Sequence, residues 1–316
     1  MKLSRHRRSE ARRAAQRAFS LMELMLSVSI MVVIVGALYG MFYQTQKALR
    51  SSVNQVDVLE SGRAAMDLLS RELSQMAATR LAGGAPPAAF TGKVVDFEHL
   101  TNYGVNFAAF STPVYTPVIQ RLPVAGSLFR TNRLQEIYFF SRYGQDVSGT
   151  CYRVLGADNG VGTLSRCTYT TNIAAFRRRL SVLASFAEDS AATNFVTIAN
   201  GVIHFRVQPY DPFGLPMSWP TNRFDGNSVW LMPDSNDQLS PAVAKETRCA
   251  FLNNALPAYL EIELAVLEPN TLVQFQSFPA GSPFALKFLS NHIGQVQLFR
   301  QRVPIAQSAA FYAQYR

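Results

Sequence analysis

The sequence predicts an α+β chain: one long N-terminal helix, apolar in its first half and amphipathic in its second, packed on an antiparallel β-rich C-terminal domain. Three observations carry that prediction. An unbroken apolar run lies near the N-terminus, a helical apolar period follows it, and short β-prone stretches separated by turn residues fill the remainder. At 316 residues, 48% hydrophobic and 16% charged, the chain can bury a sizeable core. Composition excludes a collagen, a mucin-like stalk and a polytopic membrane protein.

Residues 1–18 are a basic leader. Lys2, Arg5, Arg7, Arg8, Arg12, Arg13 and Arg17 stand there against the single acid Glu10, and without them the net charge of +9 falls to +3. The basic balance therefore belongs to the leader, and nucleic acid is not an expected partner.

Residues 19–43 change character at once. From Phe19 to Tyr43 the only charge is Glu23, and Leu24 to Tyr43 supplies the roughly 20 apolar residues that cross a bilayer core. The arginine-rich flank on one side predicts a cytoplasmic N-terminus and an exterior C-terminal domain. A secretory signal would be shorter and end at a small-x-small site. A plain anchor fits the length but gives no reason for Glu23, since an unpaired carboxylate in the apolar layer costs at least about 2.5 kcal/mol. Gly36 and Gly40 form a G-x-x-x-G, a spacing that lets helices approach closely.

The residues Ala18-Phe19-Ser20-Leu21-Met22-Glu23 resemble the prepilin cleavage and methylation motif of type IV pilins and pseudopilins. The resemblance implies cutting between Ala18 and Phe19 by prepilin peptidase and N-methylation of Phe19. The family usually has glycine where this chain has Ala18. It implies a pilin-like fold and an assembly role for Glu23, whose carboxylate would lie about one turn from the new amine and pair with the amine of a neighbouring subunit, offsetting the cost of burying both charges.

Residues 44–81 continue the helix. Leu49, Val53, Val56, Leu59, Met66, Leu69, Leu73 and Met76 recur at helical steps, Asp67 and Arg71 stand one turn apart, and Gly83-Gly84 with Pro86-Pro87 end the pattern. Residues 82–316 form the exterior domain. Strands are expected at Glu136 to Tyr143, Cys151 to Leu155, Phe195 to Val207, Ser228 to Met232, Tyr259 to Leu267 and Gln295 to Val303, with turns at Asn159-Gly160, Asn200-Gly201 and Asp225-Gly226. Thr79 to Arg130, rich in Ala, Gly, Pro and Thr, is expected to hold long loops.

Within these elements, Val58 to Leu73, Ile198 to Val207 and Leu256 to Leu264 resemble segments of the large minor members, pilus protein W and type II secretion pseudopilin J, and also of the pilin-like cassette protein C family. The resemblance implies a low-abundance tip or initiation subunit.

No catalytic or phosphate-binding motif occurs. His6, His99, His204 and His292 are scattered, and His204 reads as structural. Asp211, Asp225, Asp234 and Asp237 lie in turn-rich sequence, and Asp234 and Asp237 are the weak calcium candidates; no metal or other cofactor is expected. Cys151 and Cys167 are symmetric about Asn159, so a hairpin could set them opposite each other as a disulfide or as two buried thiols. Arg177-Arg178-Arg179 reads as a solvated loop.

The expectation is a non-enzymatic, single-pass inner-membrane protein in the pilin-like class, serving a type II secretion pseudopilus. Its expected partners are prepilin peptidase, other minor and major pilin-like subunits, the inner-membrane assembly platform and, before assembly, the lipid bilayer. The alternatives are a minor type IV pilin for adhesion, motility or DNA uptake, and an unprocessed single-pass anchor carrying a binding domain.

Overall fold

The structure, a computed structural model, describes residues 20–78, 105–111, 118–121, 129–172, 194–218, 228–233, 247–279 and 282–313. The chain divides into two compact units, Met1–Val53 and Asn54–Arg316. The first contains most of helix α1 (Leu21–Ser74).

In the second unit the rest of α1 meets a sheet. Val58, Gly62, Ala65 with Met66, Leu69 and Leu73 are buried at steps of three or four, one stripe of the helix, and Met76 just past its end is buried as well. They join a core with residues from one face of the sheet, including Phe107, Phe139, Tyr152, Phe205, Phe251 and Leu264. Of the positions expected to be apolar contacts, Leu49, Val53 and Val56 stay exposed, and the buried stripe begins at Val58.

The sheet is built from β1 (Val105–Ser111), β4 (Gln135–Tyr143), β5 (Asp146–Leu155), β6 (Gly162–Asn172), β7 (Val196–Tyr210), β8 (Val229–Pro233), β9 (Thr247–Leu252), β10 (Tyr259–Leu267) and β11 (Val296–Pro304). Its order is β11-β10-β7-β6-β5-β4-β1-β9-β8, and every neighbouring pair is antiparallel. A separate hairpin joins β2 (Ile119–Arg121) to β3 (Phe129–Thr131). Two short helices, α2 (Pro269–Gln276) and α3 (Pro283–Asn291), lie between β10 and β11, and α4 (Ala309–Tyr312) follows β11. The α+β class expected from sequence is thus what the chain adopts.

The sheet face turned away from α1 is also covered, in patches. Val105, Tyr138, Phe140, Cys151, Cys167 and Trp230 form one cluster, and Val118, Ile203, Leu267, Phe275 and Leu289 form another under α2 and α3. With both faces buried, β1 has no polar–apolar alternation to read in the sequence. That is why β1 leaves no strand signal within Thr79 to Arg130, a stretch that also holds β2 and the start of β3.

Asn200-Gly201 is not the expected turn. It lies inside β7, where the pairing of β7 with β10 skips Ile203. The resulting bulge turns Ile203 to the face opposite α1, and Gly201 holds φ +71 with its missing Cβ about 3.1 Å from Leu272 Cδ2. Asn159-Gly160 does turn the chain between β5 and β6. Asp225-Gly226 lies outside the described residues.

Two contacts hold α1 to the sheet at opposite ends of its buried stripe. A Cβ added at Gly62 would overlap the tip of the Phe299 ring of β11, so any larger residue has to displace that ring. Near the helix C-terminus, Arg166 of β6 forks onto Glu72, with Nη2 to Oε1 at 2.7 Å and Nε to Oε2 at 3.0 Å. The Tyr152 hydroxyl of β5 donates to the same Oε2 at 2.7 Å, and burial together with that acceptor pushes the phenol pKa up. Gly62→Ala is expected to lower the unfolding free energy by about 1–3 kcal/mol, because displacing the ring outweighs the better helix propensity of alanine. Urea unfolding of the full chain in detergent measures this, and an unchanged midpoint would mean that the ring moves aside freely.

Candidate functional site

The N-terminal part of α1 begins at Ser20, whose carbonyl accepts the Glu23 N–H at 2.9 Å and the Leu24 N–H at 3.1 Å, while its Oγ accepts the Met22 N–H at 3.3 Å. Glu23 therefore lies in the first turn, where a carboxylate faces the positive end of the helix dipole. Ser20-Leu21-Met22-Glu23 has S-x-x-E spacing, the signature of a capping box. That spacing is legible in the sequence; the Ser20 hydroxyl caps the helix through the Met22 N–H, and the local role of Glu23 is its charge at the helix N-terminus. Ala18 and Phe19 lie outside the described residues.

From Leu21 to Val53 every side chain that the structure describes is exposed, and Leu24 to Gln46 contains no charged residue. The surface is apolar on all sides: Leu24, Met25, Leu26, Ile30, Val32, Val33, Leu38 and Phe42 point around the whole helix and are all more than half exposed. Such a helix needs a cover of lipid or of other apolar helices. Three of its hydroxyls are satisfied within the helix, with Ser27 Oγ donating to the Leu24 carbonyl at 2.9 Å, Ser29 Oγ to Met25 at 2.8 Å and Thr45 Oγ1 to Met41 at 2.9 Å. Self-satisfied polar groups are what a hydrocarbon environment requires. By length and composition this is the one described helix able to cross a membrane. Gly36 and Gly40 open a strip on its surface where an added Cβ would meet nothing within 4 Å.

The residues considered for chemistry fall into structural roles. The Nδ1 of buried His204 accepts the Arg133 N–H at 2.9 Å, which fixes the proton on Nε2, the atom 3.3 Å from Glu263 Oε2. Charging this ring would put a second proton against that N–H, and burial pushes its pKa down. The contact is therefore a hydrogen bond from a neutral imidazole. That hydrogen bond is the strongest influence on Glu263; burial opposes it, Arg206 and Arg300 add to it, and the carboxyl is held down at about 2. Asp211 is buried in its own turn, with Oδ1 accepting from Phe213 N at 2.9 Å and Leu215 N at 2.8 Å. Asp234, Asp237, Asp225, His6, His99 and the arginine run Arg177-Arg178-Arg179 lie outside the described residues. Among the described residues no group of three or more His, Cys, Asp or Glu is arranged to hold a metal.

Cys151 and Cys167 face each other across β5 and β6 in register, and both are buried thiols outside any disulfide, as is Cys249. The structure thus keeps the hairpin placement expected from sequence without a bond between the sulfurs. Burial, reinforced by the Glu136 carboxylate, pushes the Cys151 thiol up and suppresses its thiolate. The pair Arg166–Glu72, which holds the helix, has no sequence signal, because its partners are far apart in the chain.

Comparison with protein-family models, with curated proteins and with solved structures finds no match.

Two predictions follow from these side chains. Glu263 is depressed from an ordinary 4.5, so its contribution to stability is complete above that value and is lost as pH falls from there toward 2. His204, with its pKa lowered from 6.5, adds acid lability of the same sign, because only the unfolded ring charges readily. Acid denaturation followed by circular dichroism should begin at a lower stability and lose its steepest part below pH 4.5 in Glu263→Gln; an identical acid limb would exclude the pairing. Iodoacetamide is expected to leave all three cysteines of the native protein unmodified and to label three after denaturation without reductant. A single adduct would instead reveal a Cys151–Cys167 disulfide.

Proposed function

We propose that this chain is a membrane-inserted, non-enzymatic pilin-like subunit, cut by prepilin peptidase between Ala18 and Phe19 and assembled at the tip or initiation complex of a type II secretion pseudopilus. The observation that carries the reading is the helix itself: exposed over residues 21–53 and apolar on every side from Leu24 to Tyr43, with one carboxylate, Glu23, in its first turn. Lipid covers this surface before assembly, and the apolar helices of neighbouring subunits cover it afterwards. The two environments are equally apolar, so transfer between them needs packing and polar pairing rather than a hydrophobic gain. Glu23 supplies the pairing, through the amine of Phe19 on a neighbour, and Gly36 and Gly40 supply a strip for close approach. The N-terminus faces the cytoplasm and the β-rich unit the periplasm. The bulk of that unit favours a terminal place over repetition along a thin fibre. A minor type IV pilin for adhesion, motility or DNA uptake is the nearest relative of this reading.

A second reading is favoured by one observation. The place of Glu23 in the first turn, facing the positive end of the helix dipole, gives the carboxylate a purpose within a single helix. On that reading the chain is an unprocessed single-pass anchor for an exterior binding domain.

Mass spectrometry of the N-terminal peptide from native membranes separates the two. The filament reading expects a chain that starts at N-methylated Phe19; retention of residues 1–18 in cells with an active prepilin peptidase would overturn it. Glu23→Ala is expected to leave membrane insertion intact and to cut recruitment into filaments by about tenfold or more, the factor produced by ~1.4 kcal/mol of lost pairing. Unchanged recruitment would remove Glu23 from assembly.

A further inference from the structure

The sheet face turned away from α1 carries a charged band across β7, β10 and β11. Arg206, Glu263 and Arg300 stand in register across the three strands, with Gln208, Glu261 and Arg302 in the next row. Glu261 accepts from Arg300 and Arg302, and Arg302 also stacks 4.1 Å over the Tyr210 ring. Glu263 is held by His204, by Arg206 at 3.6 Å and by Arg300 at 3.3 Å. Arg130 of β3 adds another guanidinium within electrostatic reach of Glu263 and His204. Four guanidinium groups thus share two carboxylates, and because His204 is neutral the band keeps a positive excess.

The unmet part of that excess is at Arg130. Its Nη2 is buried and has no hydrogen-bond partner among the described residues. A buried donor left unpaired costs about 1–3 kcal/mol, and more when it is charged. Burial accordingly pushes the Arg130 pKa down, against the pull of Glu263. Glu263 does not satisfy it: its oxygens face His204, Arg206 and Arg300 instead. Two residues along, Asn132 spends its Nδ2 on the Val118 carbonyl and Gln120 Oε1, and its own Oδ1 is buried without a partner among the described residues. The β2–β3 hairpin therefore offers one unpaired cationic donor and one unpaired neutral acceptor.

We propose that Arg130 and Asn132, backed by the positive excess of the Arg206–Glu263–Arg300 row, form a binding site for a small oxyanion that also carries an O–H, of which hydrogen phosphate is the simplest case. A guanidinium fork matches two oxygens of such an anion. The remaining O–H has Asn132 Oδ1 to donate to. The site is independent of the filament reading and holds whether or not α1 enters an assembly.

The test is thermal unfolding of the full chain in detergent micelles near neutral pH, titrating phosphate against chloride at constant ionic strength, with citrate as a parallel carboxylate arm. Phosphate is expected to raise the Tm saturably, by roughly 5 °C at a hundredfold excess over its Kd. Arg130→Met is expected to lose that rise while melting no lower than wild type in chloride, because it removes an orphaned buried donor. If Arg130→Met does not fold, Arg130→Lys keeps the charge without the fork and should weaken phosphate about tenfold, the effect of losing one good charged hydrogen bond. A response to citrate alone would keep the site and assign it to carboxylates. No saturable response of the wild type to either anion, or an equal rise in the Arg130 variant, would overturn the proposal.

Discussion

The C-terminal unit depends on one stripe of helix pressed against one face of a sheet. Val58, Ala65, Met66, Leu69, Leu73 and Met76 supply the apolar side of that contact, and the sheet answers with large side chains such as Phe107, Phe139 and Phe205. The register of the stripe is pinned at both ends. Gly62 leaves room for one ring only in one position, and Glu72 holds an arginine and a tyrosine from two adjacent strands. Sliding the helix by one turn would drive a side chain into Phe299 and strand Arg166. The hydrophobic stripe supplies most of the stabilisation, while these two contacts select which packing is populated.

The same helix illustrates how burial turns on surroundings. From Leu24 to Tyr43 it is as apolar as its buried stripe, yet none of the described residues covers it. A surface of this kind is tolerable only in hydrocarbon or against similar surfaces. Ser27, Ser29 and Thr45 return their hydroxyls to the carbonyls one turn back, so these three donors are not left unpaired against a nonpolar neighbour. Glu23 is the exception, and its place in the first turn lets the helix dipole and the N-terminal cap share the cost of its charge.

On the sheet, polar groups are tuned by each other rather than by solvent. The His204 tautomer follows from a backbone N–H of Arg133, and through that tautomer His204 donates to Glu263 and holds it ionised. This chain of dependence starts from a strand bulge at Ile203, which sets the facing of the residues after it. An imidazole that sequence offers as a candidate acid or base is thereby reduced to a fixed donor.

Much of the architecture is legible in the chain because local patterns suffice for it. The expected strand Tyr259 to Leu267 matches β10 at both ends, and the helical period from Leu59 to Met76 marks the side of α1 that the sheet covers. The S-x-x-E at the head of the helix is equally local. Where both faces of a strand are buried, as in β1, the period-two signal vanishes, and where threonines dominate, as in β6, polarity resembles a loop. Asn200-Gly201 reads as a turn because positive φ at glycine serves turns and bulges alike; only the pairing of β7 with β10 decides between them. By itself, then, the sequence determined which stretch must leave water, where the helix begins and which class of fold follows, since these depend on residues close together in the chain. The tertiary structure alone decided that Phe299 seats on Gly62, that Arg166 and Tyr152 meet Glu72, that His204 is locked neutral and that Arg130 is left unpaired. Each of these joins side chains from separate elements, and no local period encodes such a meeting.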